Sequence, residues 1–533
     1  MGTSATERLE NGIRKNRYQI SVFCITFLIG AVIHLYMLTN KFYNYFEMNN
    51  ILTPMSMDKG DTLAMGRWLL PLVSRLSSVI SMPLVNGVIC LSCLALVTCM
   101  AVDILRIRRL LTAALTGAVF VSFPGVASYL SYGVNSDVFC VALLLSVASA
   151  WILYRTKRSV WGMAGSAVVL CCCIGVYQPF MSVTIAFIYA MLFLEVWKEG
   201  RGFRTILGQV IRYLITLAAG FVLYYIVLKI VTAVLGISVG DYHGVNEIAS
   251  FTLKGILKGI VYTYIYFLRY LFTAEYANYI PVIVFDALAA FLFFYYCIRG
   301  YRLHAAGVRE KGSLLCQVLL VLLLPIGVNA TPCLMADRVG NGVDRYMMFS
   351  MMLLFVLLLR MMEETEVYEQ GKRELFQWGT LLSVIALIWG NAYMCNQGYF
   401  RAEAMTNSEN AMLIRLSYHL ETTPEWTPDT PVYFANCEAL FNENTDTQIG
   451  AFDALTRVDG TEIKPWYNYD AVVKYMEVYL NFPVTKVPEN VQEEILSSDV
   501  FDEMGLYPAQ DSIRMIDGVL VVKFNENSIQ AEE

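Results

Sequence analysis

Long apolar segments separated by short loops constrain the fold of this chain more than any other feature. Eleven such segments precede residue 400, and about 20 mostly apolar residues cross the hydrocarbon core of a bilayer as a helix. Only 16% of the residues are charged, against about a quarter in soluble proteins. The segments lie near residues 20–39, 84–102, 111–123, 136–154, 161–176, 180–197, 210–235, 280–298, 314–328, 346–360 and 376–394. We therefore expect an all-α polytopic membrane protein with about eleven transmembrane helices.

Basic residues are concentrated in every second loop between these segments. Arg106 and Arg109 follow the second segment, and Lys198 and Arg201 follow the sixth. The loop sequences SYLSYGVNSD and VYQPF, on the opposite side, contain no Lys or Arg. Because cytoplasmic loops collect Lys and Arg, this alternation predicts a multi-pass protein of the plasma membrane. Its N-terminus is expected in the cytoplasm and its C-terminus outside.

Two further apolar tracts would disturb this alternation if they crossed the membrane. Leu253–Phe272 contains Lys254, Lys258 and Arg269, and Trp68–Ile80 contains Arg75. We interpret both as amphipathic helices that lie on the outer membrane surface.

The C-terminal part of the chain has a different composition. From Arg401 to the end there are 24 acidic and 8 basic residues, whereas the preceding part is net basic. The sequence RMIDGVLVVKF predicts a hairpin with Asp517-Gly518 in the turn, and Ala471–Leu480 and Glu489–Ser497 are helix-like. We divide the chain into a membrane domain, 1–395, and a small extracytoplasmic α/β domain, 396–533. The acidic balance argues against a nucleic-acid partner.

The composition indicates no cofactor. Most of the 13 cysteines lie inside apolar segments, and none is spaced from a histidine as a Cys/His metal site requires. No metal site is predicted, and use of a divalent ion is neither indicated nor excluded by the sequence.

Two acids stand out in MSMDKGDTLAMGRWLLP, which follows the first apolar segment. Asp58 and Asp61 are expected at the outer membrane surface, where a carboxylate can take a proton from an incoming hydroxyl. The alternative is that they only solvate the loop. Arg67, in the same sequence, can bind a phosphate through its forked N–H groups or can anchor an interfacial helix.

Two arginines lie in ADRVGNGVDRYM, a loop expected outside. Arg338 and Arg345 depart from the charge bias there, which indicates contact with an anion such as a phosphate. Pairing with Asp337 and Asp344 as surface ion pairs is the alternative.

Other polar residues are weaker candidates for binding an acceptor or a sugar, and a structural role is favoured for the first four. Asn135 and Asp137 open the fourth segment, where helix capping is the favoured role. Tyr177 and Gln178 precede Pro179, which indicates a helix-breaking turn. Asp241 and His243, in VGDYHGVNE, are also candidates to orient an acceptor. The candidates are Asn135, Asp137, Tyr177, Gln178, Asp241 and His243.

The order of these motifs resembles that of the bacterial glucosyltransferase II family, whose better-known members decorate O-antigen. An acid-bearing first outer loop leads into GRWLLP, followed by SYGVNSD and IGVYQPF. The resemblance covers roughly residues 20–395 and leaves the C-terminal domain unexplained.

This resemblance implies a GT-C-like architecture and a polyprenyl-phosphate-linked sugar donor. By position it makes Asp58 and Asp61 candidate catalytic bases, and Arg67, Arg338 and Arg345 candidate contacts of the donor phosphate. Related enzymes often have adjacent acids where this chain has Asp58-Lys59-Gly60-Asp61, so the choice of base stays open.

The predicted function is transfer of a hexose, glucose by the resemblance, to a cell-surface glycan on the extracytoplasmic side. The alternative is a transporter or flippase of lipid-linked sugars, which would place polar residues near the membrane midplane. The unusual polar residues of this chain lie mostly near the expected outer surface, which favours the enzyme.

Overall fold

The computed structural model describes residues 14–42, 59–76, 82–157, 159–237, 253–273, 280–304, 309–334, 345–366, 374–424, 426–437 and 469–525. The first helices are α1 (Arg17–Ile33), α2 (Leu35–Thr39), α3 (Lys59–Ala64), α4 (Leu70–Val73), α5 (Pro83–Ile104), α6 (Leu110–Ser122), α7 (Pro124–Ser131), α8 (Ser136–Thr156), α9 (Val160–Val176), α10 (Met181–Trp197) and α11 (Phe203–Leu235). There follow α12 (Leu253–Phe272), α13 (Ile280–His304), α14 (Ser313–Leu322), α15 (Leu324–Val328), α16 (Thr331–Leu334), α17 (Leu353–Glu366), α18 (Glu374–Glu421), α19 (Tyr469–Tyr479), α20 (Glu489–Leu496) and α21 (Asp499–Asp502). Four short 3₁₀ helices bear on the fold and site, at Ser74–Leu76, Gly133–Asn135, Gln178–Phe180 and Arg345–Met352.

Each of the eleven apolar segments contains a helix. In the described part of the chain, seven helical segments are long and apolar enough to cross a membrane, and the bent pair α6–α7 makes an eighth if it is one span. Helices α1, α9 and α14 are apolar but shorter. The chain is therefore an α-helical membrane protein, and eleven crossings remain a prediction.

The chain bends sharply between α6 and α7. Phe123 has an extended ψ of 127°, as is favoured before a proline, and Pro124 begins α7 without an N–H group to bond backward. The two helix axes differ by 49°. All eight residues of α7 are buried, so the bend turns this segment into the protein interior.

A buried histidine joins three helices. His34, between α1 and α2, is fully buried; its Nε2 lies 2.7 Å from the Val121 carbonyl oxygen, and its Nδ1 lies 2.6 Å from the Tyr399 hydroxyl. Because a carbonyl oxygen only accepts, Nε2 donates to Val121 and Nδ1 accepts from Tyr399. This fixes one imidazole tautomer and ties α1 to α6 and α18.

The two tracts predicted as surface helices differ in outcome. Leu253–Phe272 is one continuous helix; Thr263 and Tyr266 on one face are buried, and Lys258 and Arg269 are exposed. Its position on the membrane surface remains a prediction.

The helix predicted over Trp68–Ile80 begins later than expected. In the described part, α4 continues directly into the 3₁₀ helix Ser74–Leu76, whereas residues 68 and 69 precede the helix as a turn. Leu69 and Trp68 are held by contacts with α9 instead, as described below.

The C-terminal part contains the expected hairpin and helices. Strands β2 (Ile513–Ile516) and β3 (Val519–Lys523) pair antiparallel, and Asp517 (φ 47°) and Gly518 (φ 81°) form the turn, which requires positive φ at both positions. Strand β1 (Val432–Ala435) pairs parallel with β3, giving the sheet order β1-β3-β2. Helices α19 and α20 confirm the two helix predictions.

Helix α18 connects the membrane part to this sheet. It runs for 48 residues, from Glu374 to Glu421, and passes the predicted boundary at residue 396 without a break. Leu413, Leu416 and Leu420 near its end are buried in one cluster with residues of the sheet. One helix therefore contributes to both parts of the protein.

A carboxylate closes the connection between α10 and α11. Glu310 accepts hydrogen bonds from the Thr205 hydroxyl (2.6 Å), the Gly202 N–H (2.8 Å) and the Arg201 guanidinium (3.2 Å). The hydrogen bond from Thr205, followed by that from Gly202, lowers the pKa of Glu310 below its ordinary value, since these donors favour the ionised carboxylate. The ionised form therefore stabilises the start of α11.

Glu310→Gln should lower the melting temperature of the purified protein by a few degrees at pH 7. A group whose pKa is depressed by folding stabilises above its unfolded pKa, about 4.3 for Glu. The difference in melting temperature should therefore shrink as the pH falls below about 4.3. Glu494→Gln removes an exposed carboxylate of α20 and should change little; an equal effect of both substitutions would contradict the assignment.

Candidate functional site

The backbone after α3 turns sharply and brings the GRW sequence against the bundle. The Arg67 N–H donates to the Thr62 carbonyl oxygen (2.9 Å) and the Gly66 N–H to that of Leu63 (2.9 Å). Gly66 has φ +75°, which glycine adopts without steric cost. This is the Schellman arrangement that ends helices, and it sets the direction in which residues 67–69 leave α3.

Three hydrogen bonds dock this turn against the C-terminal end of α9, the 3₁₀ turn that follows it, and α11. The Gln178 amide donates to the Met65 carbonyl oxygen (2.7 Å), and the Tyr224 hydroxyl donates to that of Gly66 (3.0 Å). The Leu69 N–H donates to the carbonyl oxygen of Gly175 (2.9 Å). The turn is thus held from three directions, and we call residues 62–69 the docked turn.

Trp68 lies directly on the backbone of Gly175 in α9. A Cβ atom at position 175 would lie 2.5 Å from Cε2 of the Trp68 ring, closer than van der Waals contact allows. Glycine at this position therefore permits the contact. The position of Trp68 in turn helps to fix that of its neighbour Arg67.

Arg67 lies over an aromatic ring at the same end of α9. Its guanidinium carbon is 5.0 Å from the centroid of the Tyr177 ring, within the range of a cation–π interaction. Arg67 is half-buried and Tyr177 is only 2% exposed. A guanidinium held in this way is oriented and can still offer N–H donors to an anion.

Tyr177 belongs to an aromatic cluster built from separate sequence motifs. Its centroid is 5.0 Å from that of Phe139 and 6.4 Å from that of Tyr346. The Tyr346 centroid lies 5.9 Å from that of Tyr132, and the Tyr129 hydroxyl donates to the Tyr346 carbonyl oxygen (2.6 Å). The aromatic cluster consists of Tyr129, Tyr132, Phe139, Tyr177, Phe180 and Tyr346. It joins the GRW, SYGVNSD and VYQPF motifs to residues that follow Arg345.

The polar residues at the start of α8 adjoin this cluster through Phe139. Asp137 is fully buried and lies in the first turn of α8, where the helix dipole favours a negative charge. Asn135 is half-buried and occupies the N-cap position, but its side chain makes no capping hydrogen bond within the described residues. The capping role expected for Asn135 is therefore wrong; Ser136 bonds instead to the Gly133 carbonyl oxygen (2.9 Å).

Gln178 and Tyr177 lie in the predicted helix-breaking turn. Helix α9 ends at Val176, and residues Gln178–Phe180 form a 3₁₀ turn. The turn is confirmed, and it has a further role, because Gln178 holds the docked turn through Met65.

The remaining candidates lie partly or wholly outside what the structure describes. Asp58, Arg338, Asp241 and His243 are outside the described residues. Asp61 and Arg345 have a described backbone, in α3 and in the 3₁₀ helix Arg345–Met352, but no described side chain. Asp61 immediately precedes Thr62, the acceptor of the Arg67 N–H, and Arg345 immediately precedes Tyr346 of the aromatic cluster. Asp61 and Arg345 are therefore next in sequence to the docked turn and to the aromatic cluster.

Several residues of this site were not singled out from the sequence. Tyr132, Tyr224 and Tyr346 are aromatic residues in a chain that contains 33 tyrosines, so residue type alone did not distinguish them. Tyr132 stands inside SYGVNSD and Tyr346 next to Arg345, and these neighbours were the available signal. Tyr224 lies within an apolar segment and had none.

Comparison with known families decides the identity of the membrane part. The sequence model described as "Glucosyl transferase GtrII" matches residues 35–361, which is more than half of the chain and includes the docked turn and the aromatic cluster. The chain belongs to this family. No curated protein and no solved structure matches the chain.

Membership in the glucosyl transferase GtrII family makes the protein a glycosyltransferase and confirms the resemblance seen in the sequence. The family match ends before α18, so it does not extend to the C-terminal sheet. Within the described residues no group of three or more His, Cys, Asp or Glu side chains is placed to hold a metal ion.

Gly175→Ala should impair glycosyl transfer by displacing Trp68 and, with it, Arg67. Small displacements of a positioning group cost up to about 100-fold in rate, and we expect a loss of that order in membranes that contain normal amounts of the protein.

The matched control is Gly165→Ala in the same helix. A Cβ atom there would meet only Ile152, at 3.9 Å, and activity should be kept. Equal activity of the two variants would show that the Trp68 contact does not position the site.

Proposed function

We propose that this family member transfers glucose from a polyprenyl-phosphate donor to a cell-surface glycan on the extracytoplasmic side of the plasma membrane. The observation that carries the proposal is the docked turn, which holds the Arg67 guanidinium 5.0 Å from the Tyr177 ring. A family of glucosyl transferases supplies the reaction class, and an apolar bundle around the site suits a donor with a lipid tail.

The arrangement of charges supports the outer side. Helices α8, α9 and α10 each have one end at the aromatic cluster and the other end at a basic loop. Ser136 begins α8 beside the cluster, and Arg155 lies near the end of the helix; α10 runs from Met181 to Trp197 and is followed by Lys198. Since basic loops face the cytoplasm, the aromatic cluster faces outward.

The donor phosphate is assigned to arginine. The Arg67 guanidinium presents planar N–H donors that match phosphate oxygens in pairs, and its stacking on Tyr177 restricts its orientation. Arg345 adjoins the aromatic cluster along the chain, and Arg338 precedes it in the same loop sequence. We assign these three residues, Arg67, Arg338 and Arg345, to the phosphate.

The base is Asp58 or Asp61. One of these carboxylates takes the proton of an acceptor hydroxyl while that oxygen bonds to the anomeric carbon. The bond from the anomeric carbon to the phosphate oxygen breaks, and polyprenyl phosphate leaves with the electron pair. A single displacement of this kind inverts the anomeric configuration. The backbone of Asp61 adjoins the docked turn, which favours its participation.

The acceptor is assigned to the half-buried part of the site. Tyr132 and Asn135 are half-buried, so an aromatic face and an amide can contact a sugar there. Tyr177 borders this region, whereas Gln178 is engaged in docking the turn and Asp137 is fully buried. Asp241 and His243 remain candidates for the acceptor side, and no metal or other cofactor is required by this mechanism.

Reconstitution separates this proposal from transport of a lipid-linked sugar. Protein in vesicles is supplied with radiolabelled polyprenyl-phosphate glucose and with the glycan acceptor. Label recovered in the glycan supports the transferase. Movement of labelled lipid between leaflets, with no labelled glycan, would support a flippase and overturn the proposal.

Arg67→Ala should reduce kcat/KM for the polyprenyl-phosphate donor. A hydrogen bond to a charged group contributes about 1.5–3 kcal/mol, which corresponds to roughly 10- to 100-fold. Arg67→Lys keeps the positive charge but lacks the paired N–H donors of the guanidinium. Its kcat/KM should lie between that of the native protein and that of Arg67→Ala.

Arg75→Ala is the control for this substitution. Arg75 is an exposed arginine in the same segment, eight positions further along the sequence. It should leave kcat/KM unchanged. If Arg67→Ala behaved like Arg75→Ala, Arg67 would not contact the donor.

Asp58→Asn and Asp61→Asn, made singly, should include at least one variant that loses transfer by roughly 100- to 10,000-fold, as expected for loss of a general base. Membrane insertion and donor binding should be retained, because the amide has nearly the same shape. Full activity of both variants would exclude both residues as the base.

A further inference from the structure

A cavity of about 560 Å³ lies at the end of the bundle opposite the aromatic cluster. Its walls are the ends of α5, α8 and α10 and the beginning of α11. Seven basic and two acidic side chains line it, together with apolar side chains that include Leu153, Met191 and Leu194. We call it the basic cavity.

Five of the basic side chains are held by carboxylates. The ion pairs are Arg106–Glu199 (2.9 Å), Arg155–Asp103 (2.6 Å), Lys198–Glu364 (2.8 Å), Arg201–Glu310 (3.2 Å) and Arg360–Glu364 (2.5 Å). Four of the five pairs join different parts of the chain and hold the walls together, whereas Arg360 and Glu364 lie one turn apart in α17. Most of the positive charge in the cavity therefore has a structural role.

The other two bases, Arg212 and Lys157, have no ion pair among the residues that the structure describes. Arg212 donates from one terminal nitrogen to the Lys157 carbonyl oxygen, and its guanidinium carbon lies 4.7 Å from the Tyr213 ring centroid. Its Nε is buried and has no hydrogen-bond partner there. A buried donor left unsatisfied is unfavourable, so an anion placed between Arg212 and Lys157 would satisfy both charge and hydrogen bonding.

The helix that carries Arg212 also faces lipid. Thr205, Gln209 and Arg212 point into the basic cavity, whereas Leu207 and Leu214 on the other side of α11 are exposed. A molecule in this cavity therefore lies between the packed bundle and a helix whose outer face is apolar. An amphiphile with an anionic head fits this environment better than a soluble ion does.

We propose that the basic cavity binds the phosphate of an anionic phospholipid headgroup, with Arg212 and Lys157 as its direct contacts. The cavity lies at the end of the bundle that carries the basic loops. Anionic lipids concentrate in the cytoplasmic leaflet, and basic pockets between membrane helices on that side are suited to their headgroups. This site is separate from the proposed donor site, because it lies at the other end of α8, α9 and α10.

The test is a lipid titration of the purified full-length protein, read by native mass spectrometry. Phosphatidylglycerol and phosphatidylcholine with identical acyl chains are compared, so that only the headgroup differs. The native protein should bind phosphatidylglycerol at least about 10-fold more tightly, as expected for two bases near the surface. Equal affinity for the two lipids would overturn the proposal without reference to any variant.

Substitutions locate the binding. The double variant Arg212→Gln, Lys157→Gln should lose the preference for phosphatidylglycerol. Lys229→Gln is the matched control, because Lys229 is an exposed base on the same helix, beside the Tyr225 ring (5.4 Å). A preference that survives in the double variant would place the binding site elsewhere and contradict the proposal. Arg212→Lys, which keeps the charge, should keep most of the preference and shows that loss is not due to misfolding.

A second arm distinguishes a lipid from a soluble anion. Glycerol 1-phosphate and inorganic phosphate are added in excess to the phosphatidylglycerol complex. Retention of the bound lipid supports a site that also contacts acyl chains. Complete displacement by either soluble phosphate would assign the cavity to a free anion and overturn the lipid proposal.

Discussion

The contact between Trp68 and Gly175 is the constraint on which the site depends. The indole can lie against α9 only because no Cβ stands at position 175. That contact, together with the hydrogen bonds from Gln178 and Tyr224, fixes a turn that would otherwise be a polar loop between apolar helices. The orientation of Arg67 over Tyr177 follows from it. A rigid attachment of this kind places a cation at the end of the bundle.

Hydropathy predicted the helices well because the bilayer leaves few alternatives. A segment in lipid must satisfy its backbone hydrogen bonds internally, so the helix at each of the eleven segments could be read from composition. Hydropathy could not predict where a helix bends or how far it continues beyond the membrane-spanning part. The bend at Pro124 and the 48-residue length of α18 depend on packing. The helix expected from Trp68 begins only at Leu70, because residues 68 and 69 contact α9 instead.

The site was predictable to the extent that charge made residues conspicuous. Arg67, Tyr177 and Gln178 were chosen from the sequence and lie together in the fold. Tyr132, Tyr224 and Tyr346 were missed because an aromatic ring in an apolar chain is ordinary until its neighbours are known. The role of Asn135 was misjudged for a related reason: the residue stands at the N-cap, but whether its side chain turns back to the helix depends on rotamer and packing. Sequence thus pointed to the motifs, and only the fold showed how they meet.

The continuous helix α18 connects the membrane part of the protein directly to the C-terminal sheet. At about 1.5 Å per residue, the part of the helix after Arg401 extends for roughly 30 Å, about the thickness of a hydrocarbon core. Because Leu413 and Leu416 near the end of the helix are packed against the sheet, the helix is a rigid connection and not a flexible linker. Lys41, just after α2, lies 6.0 Å from the centroid of the Tyr479 ring in α19, so the C-terminal module is held against the first helices at a second point as well.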